Sequence, residues 1–459
     1  MTRTVDVDYL VVGAGAAGMA FTDALIDHAD VRVALVDRRA GVGGHWREAY
    51  PFVRLHQAST FYGVASTVLG GDVQQTGPEA GLHERADQAA ITAYYVDVLA
   101  ERMVGPGRVE LFAGCDHLGD RTFVRLDSGE RFEVPERCRV VDARYLAPDI
   151  PAETPPRFGV GDGARVVPVN DLVRLEEAPS QYVVVGSGKT ATDAIVWLLT
   201  HDVDPDAICW VRPRDPWMLN RALVQPDPAV YLGMVADMMR AAAEGKSLDD
   251  VFLRLEDAGI MLRIDRSVTP TMAKAPTLGT WELELLSSVE HVVRRGRLVS
   301  VGRGRIDVAD GSVAVADDAV VVNCAADGLK NPPRVPLWRP ETITLQPIRA
   351  GFPCFGAALA GYVEATRSDD DVKNALCPPS SYGNTLQDWA TMNVLGMRAS
   401  AAFGAEPDIR EWSSRVALNP ARVAPDHPAS AALDDALARL GAHTGPGLAR
   451  LVELGGRQS

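Results

Sequence analysis

The sequence predicts an α/β fold of two nested units, each a parallel sheet with a glycine turn at its edge. Three observations predict it. The apolar run Tyr9-Leu10-Val11-Val12 leads directly into Gly13-Ala14-Gly15-Ala16-Ala17-Gly18 and a helical pattern. A second run, Tyr182-Val183-Val184-Val185, leads into Gly186-Ser187-Gly188-Lys189-Thr190-Ala191 and another helical pattern. Finally, the order strand, hairpin turn, strand, apolar strand and hinge occurs twice, once ending near residue 143 and once near 328. Together these describe two Rossmann-like, three-layer ββα units. The first occupies residues 1–145 and resumes at 340–459, and the second is inserted at 155–328.

Each residue type in the first turn has a physical task. Gly13 makes the tight turn, Gly15 lets backbone approach a pyrophosphate, and Gly18 lets helix pack on strand. The amides around Ala14 and Ala17 and the positive end of the helix dipole face the phosphates. The next strand, from Val31 to Val36, ends in Asp37-Arg38 about 20 residues beyond the turn, where a carboxylate reaches ribose hydroxyls. A second glycine turn follows at once, Gly41-Val42-Gly43-Gly44-His45-Trp46. In the second unit the strand Ala207 to Val211 ends instead in Arg212-Pro213-Arg214, and arginine suits a ribose 2′-phosphate. Lys189, beside that turn, is placed to help hold phosphate. The string Gly-Ser-Gly-Lys-Thr is not a P-loop, because Val183 stands where the first P-loop glycine is required.

Bulk properties narrow the classes. The chain has 459 residues, 47% hydrophobic and 23% charged, with a formal net charge of -15. That balance argues against nucleic acid or an anionic membrane as partner. The six cysteines contain no C-x-x-C pair and no zinc-type spacing, so no metal site is expected and reduced, buried thiols in a cytoplasmic protein are. No apolar run reaches the length of a membrane span.

The remaining elements follow in order. Residues 60–85 read as loop, and 86–104 as a helix with Ile91, Tyr94, Tyr95, Val98, Leu99 and Met103 apolar at helical spacing. Asp127-Ser128-Gly129-Glu130 marks a hairpin, and the proline-rich stretch Tyr145 to Phe158 a linker. Residues 215–265 read as a helical insertion, with helices at 229–243 and 248–255, placed to form a substrate lid or pocket wall. Asp310-Gly311 marks a second hairpin, and Ala325-Ala326-Asp327-Gly328 a hinge. Helices are expected from Pro353 to Glu364, over 386–404, and from Ala431 to Leu440.

Gly44-His45-Trp46 and the following Tyr50-Pro51-Phe52 resemble the glycine pair, tryptophan and Tyr-Pro-Gly segment of flavin-containing monooxygenases and their Baeyer–Villiger and N-hydroxylating relatives. Phe52 replaces the usual glycine. The family fingerprint before the second turn is also altered, with Pro168 where a histidine belongs. The resemblance implies FAD at the first turn, NADPH at the second, and O2 as co-substrate. It implies a flavin C4a-hydroperoxide that oxygenates a small organic substrate. Arg54, His56 and Gln57 are then candidates for polar groups over the flavin, Ser59 for cofactor contact and Gln346 for the substrate side. The helix from Pro353 would aim its N-terminus at the flavin pyrimidine ring. Two other readings stay open: an NAD(P)H oxidase or reductase without oxygen insertion, and a flavin-binding redox sensor. A homodimer also stays open.

Overall fold

The structure is a computed structural model that describes residues 2–325, 330–349 and 351–455. The hinge expected at Ala326 to Gly328 lies outside the described residues.

The first sheet is wholly parallel, ordered Thr342–Thr344, Arg139–Asp142, Tyr9–Val12, Val33–Asp37, Val109–Ala113. Its inner strands Tyr9–Val12 and Val33–Asp37 are apolar up to the closing Asp37 because both faces are covered. Val11, Val33, Leu35 and Val141 point to one face, against the helices Ala16–His28 and Pro353–Thr366. Leu10, Val12, Ala34, Val36 and Val140 point to the other, against an antiparallel meander carrying Phe123 and Phe132. The N-terminal strand Thr2–Thr4 completes that meander by pairing with Arg131–Glu133.

The second unit repeats the plan. Its parallel sheet runs Arg165–Pro168, Val320–Asn323, Tyr182–Val185, Ile208–Val211, Val292–Val293. Helix Lys189–Thr200 covers one face, with Ala191, Ala194, Ile195 and Leu198 inward. A meander that includes Arg305–Val308 and Gly311–Ala314 covers the other. In each sheet the strand order reverses beside the strand that carries the glycine turn, and such switch points open a ligand crevice at the carboxyl ends. The chain returns to the first sheet through Thr342–Thr344. The outgoing and returning connections brace each other through Lys330 to Asp149 at 3.2 Å and the Tyr145 hydroxyl to the Pro333 carbonyl at 2.6 Å.

The stretch expected to be a helical insertion is helical only in part. Pro228–Glu244 and Leu248–Asp257 are helices, capped by Asp227 and Ser247. They stand on a three-stranded sheet of Met261–Arg263, Pro216–Asn220 and Met272–Leu278. The C-terminal helix, expected to stop at Leu440, runs Ala431–Gly455 through Pro446. It lies along Pro228–Glu244 and caps that helix, Arg450 donating to the Gly245 carbonyl at 2.9 Å. Among the described residues no helix is long and apolar enough to cross a membrane.

Candidate functional site

The first glycine turn is built for close approach. Helix Ala16–His28 begins at Gly15 without a side-chain cap, so its first amides are unmatched, and residues 15–17 are partly exposed. A Cβ on Gly18 would sit 1.9 Å from the Gly13 carbonyl oxygen, which fixes that position as glycine. The second glycine turn folds back on the first. The Gly43 amide donates to the Ala14 carbonyl at 2.9 Å, and a Cβ on Gly44 would lie 2.8 Å from Gly15 Cα. Trp46 donates its indole N–H to the Tyr62 hydroxyl at 2.5 Å. Burial first, then the charge of Arg39, lowers the His45 imidazole to about 4.

Asp37 is nearly buried and already tied to backbone. Its Oδ2 accepts the Ala14 N–H at 2.7 Å and its Oδ1 the Arg39 N–H at 2.8 Å. Next to it, Arg38 and Arg39 both bind Glu153, at 2.9 and 2.7 Å.

The second turn leaves more space. Helix Lys189–Thr200 starts at Gly188 without a side-chain cap, and apart from its chain neighbours no described heavy atom lies within 4 Å of a Cβ built there. Ser187, Lys189 and Thr190 are partly exposed. The Trp210 indole holds the Gly186 carbonyl at 2.7 Å. Lys189 pairs with Asp193, which also accepts the Tyr50 hydroxyl at 2.7 Å. Phe52 stacks on Trp197 at 5.3 Å, and Asn170 donates to the Glu48 carbonyl at 2.8 Å. The segment after Trp46 therefore packs on the helix of the second turn, and Phe52 supplies an aromatic contact that glycine could not.

The two arginines at the second strand end differ. Arg212 is fully buried, pairs with Asp215 at 2.8 Å, and lies 4.2 Å from the Trp210 ring centroid. Burial lowers its guanidinium to about 10 against the pull of Asp215. Arg214 is exposed.

Of the residues expected beside a flavin ring, His56 and Gln57 are drawn into the junction and Arg54 stays on the surface. The His56 Nδ1 is buried without a hydrogen-bond partner among the described residues. Burial and the charges of Lys189, Arg221 and Arg85 lower its imidazole to about 3, so it is neutral at pH 7. Ser59 is buried and its hydroxyl serves backbone, donating to the Glu84 carbonyl at 3.2 Å and accepting the Ala86 N–H at 2.7 Å. Gln346 is pinned at both ends to the backbone of Val335.

A feature with no local sequence signal holds this junction together. Arg85, Glu79, Arg221 and Glu282 form a buried ion cluster whose side chains are 1–7% exposed. Arg221 binds Glu79, binds Glu282 at 2.7 Å, and donates through Nε to the His56 carbonyl at 3.1 Å. Arg85 chelates Glu79 at 3.0 and 3.2 Å and donates to the Leu55 carbonyl at 3.1 Å. Trp281 adds an indole N–H to Glu79 at 3.1 Å. Three segments distant in sequence thus anchor the backbone of residues 55 and 56.

The two units have a Rossmann-like fold, and a family profile described as an NAD(P)-binding Rossmann-like domain matches residues 11–64. The chain belongs to the same family as the Mycobacterium tuberculosis protein Rv2000 and the Mycobacterium bovis protein Mb2023. Each is 39% identical over 421 residues, which is 91% of this chain and 78% of the relative. Among solved structures, cyclohexanone monooxygenase from Rhodococcus sp. Phi1 bound to NADP+ aligns at 14% identity over 98% of both chains, with a TM-score of 0.49. Bacillithiol disulfide reductase from Staphylococcus aureus aligns at 11% identity over 80% of this chain and 98% of that one, with a TM-score of 0.46.

Proposed function

We propose that the protein is an FAD-dependent, NADPH-consuming oxidoreductase, and that it acts as a monooxygenase on a small organic substrate. One observation carries the reading: two uncapped glycine-turn helices, one from each nested unit, meet at a single junction through residues 44–57. The open amides at Gly15 to Ala17 and the space above Gly188 fit two pyrophosphates.

Gly13, Ala14, Gly15, Ala17, Gly18, Gly44, His45 and Trp46 would hold FAD, with Asp37 and Arg38 at its adenosine end. Gly186, Ser187, Gly188, Lys189 and Thr190 would hold the NADPH phosphates. Bound flavin supplies hydride acceptance and oxygen activation. The chain's part is to align the two rings and exclude water. Exposed Arg214 is the residue placed to meet a 2′-phosphate, while Arg212 shapes the strand end through Trp210 and Asp215. Neutral His56, with its unpartnered Nδ1, can hydrogen-bond a ligand in the junction without taking up charge. Gln57, buried beside it, and Arg54, at the rim, complete the polar set. A cytoplasmic location and a homodimer belong to the same proposal.

The test is NADPH and oxygen consumption against a panel of ketones, sulfides and amines. Labelled oxygen appearing in a product, mole for mole with NADPH, supports an oxygenase. Hydrogen peroxide formed mole for mole with NADPH under every substrate points to the oxidase reading. The altered fingerprint at Pro168 is the observation that favours that second reading.

A further inference from the structure

The proline-rich connection between the two units carries one acidic side chain into the nucleotide cradle. Glu153 sits in a turn closed by its own N–H to the Ile150 carbonyl at 2.9 Å. Its two carboxylate oxygens bind Arg38 and Arg39 separately, at 2.9 and 2.7 Å. Those arginines directly follow Asp37, which is bonded to the Ala14 amide of the first turn. Arg39 is only 15% exposed in its side chain, its charge reaches His45 in the second glycine turn, and its Nε is buried without a partner among the described residues. The pair of guanidiniums is therefore part of the cradle, and the anion it holds is a carboxylate from the chain itself.

We propose that Arg38 and Arg39 form the anion subsite of the first glycine turn, and that Glu153 is its resident competitor, displaced when an adenosine diphosphate group binds. This rests on the reading of the first turn as a dinucleotide site. Guanidinium pairs match phosphate oxygens as they match a carboxylate, and phosphate carries more charge. Loading the turn therefore removes Glu153 from the arginines and frees the connection between the two units.

Binding of ADP and of FAD, measured by calorimetry on the wild type, Glu153→Gln and Arg39→Gln, tests this. The Glu153 contacts are partly exposed and individually weak, so removing the competitor should tighten both ligands about three- to tenfold. Arg39→Gln should weaken both by a comparable factor. Trypsin cleavage within residues 145–158 should rise on adding ADP to the wild type, and be high without ligand in Glu153→Gln. Equal affinities in wild type and Glu153→Gln overturn the competitor while leaving the nucleotide site standing. If no protein binds either ligand, the dinucleotide reading itself falls, and the inference with it.

Discussion

Replacing Arg221 with methionine should be among the most costly single changes in this chain. The substitution leaves Arg85 as the one cation within the cluster against Glu79 and Glu282, so the cluster acquires one uncompensated negative charge in a place where all four side chains are 1–7% exposed. It also leaves the His56 carbonyl and the Thr277 hydroxyl without their donor. Breaking a buried pair by removing one partner costs about 3–5 kcal/mol. The pH dependence has a definite sign. Burial alone would raise the Glu79 carboxyl, but Arg221 and Arg85 outweigh it and hold it at about 2. A depressed carboxyl contributes stability that is complete above its unfolded value near 4.5 and is lost as pH falls toward 2. In the variant that contribution is reduced, so the gap to wild type should be widest at pH 7 and narrow below about pH 4.5. Urea denaturation followed by circular dichroism, at pH 7 and pH 4, reads both quantities. Pairing the change with Glu282→Leu removes one charge of each sign and should recover a large part of the loss. A destabilisation under about 1 kcal/mol at pH 7, or a gap that does not narrow on acidification, would refute the buried-cluster argument.

Three further outcomes follow from the geometry. Gly18→Ala places a Cβ 1.9 Å from the Gly13 oxygen, and should cost about 1–3 kcal/mol or more in a thermal or urea melt. Arg214→Ala should raise the NADPH Michaelis constant tenfold or more with little change for NADH, whereas Arg212→Met should chiefly lower stability, because Arg212 is buried on Trp210 and Asp215. All six cysteines are free and buried, and burial raises the Cys209 and Cys354 thiols to about 12. A thiol reagent at pH 8 should therefore label the native protein slowly and the urea-unfolded protein at all six positions.

Local signals carried the strand–turn–helix units, because a glycine turn and an apolar run are contiguous in sequence. They also marked both hairpins, which form as strand pairs around Gly129 and around Asp310-Gly311. The sheet under the insertion escaped such reading. Pro216–Asn220 does not alternate, and Met272–Leu278 contains Pro276, which an edge strand tolerates. The C-terminal helix outran its expected end because packing against Pro228–Glu244 outweighs the local cost of Gly445 and Pro446. At the candidate site, the glycines and the arginines following each strand were legible. The partners that give them meaning were not. Nothing near Arg221 in sequence points to Glu79 or Glu282, and nothing near Arg39 points to Glu153 more than a hundred residues away. The difference between Arg212 and Arg214 likewise depends on Asp215 and Trp210 closing over one of them.

The central claim is that the two turns hold a flavin and a nicotinamide nucleotide in reach of each other. An anaerobic absorbance titration of the FAD-loaded protein with NADPH tests it most directly. The account predicts oxidised-flavin bands that bleach mole for mole with added NADPH, and more readily than with NADH. A colourless protein that takes up no FAD, or a loaded flavin that NADPH leaves oxidised, would contradict it.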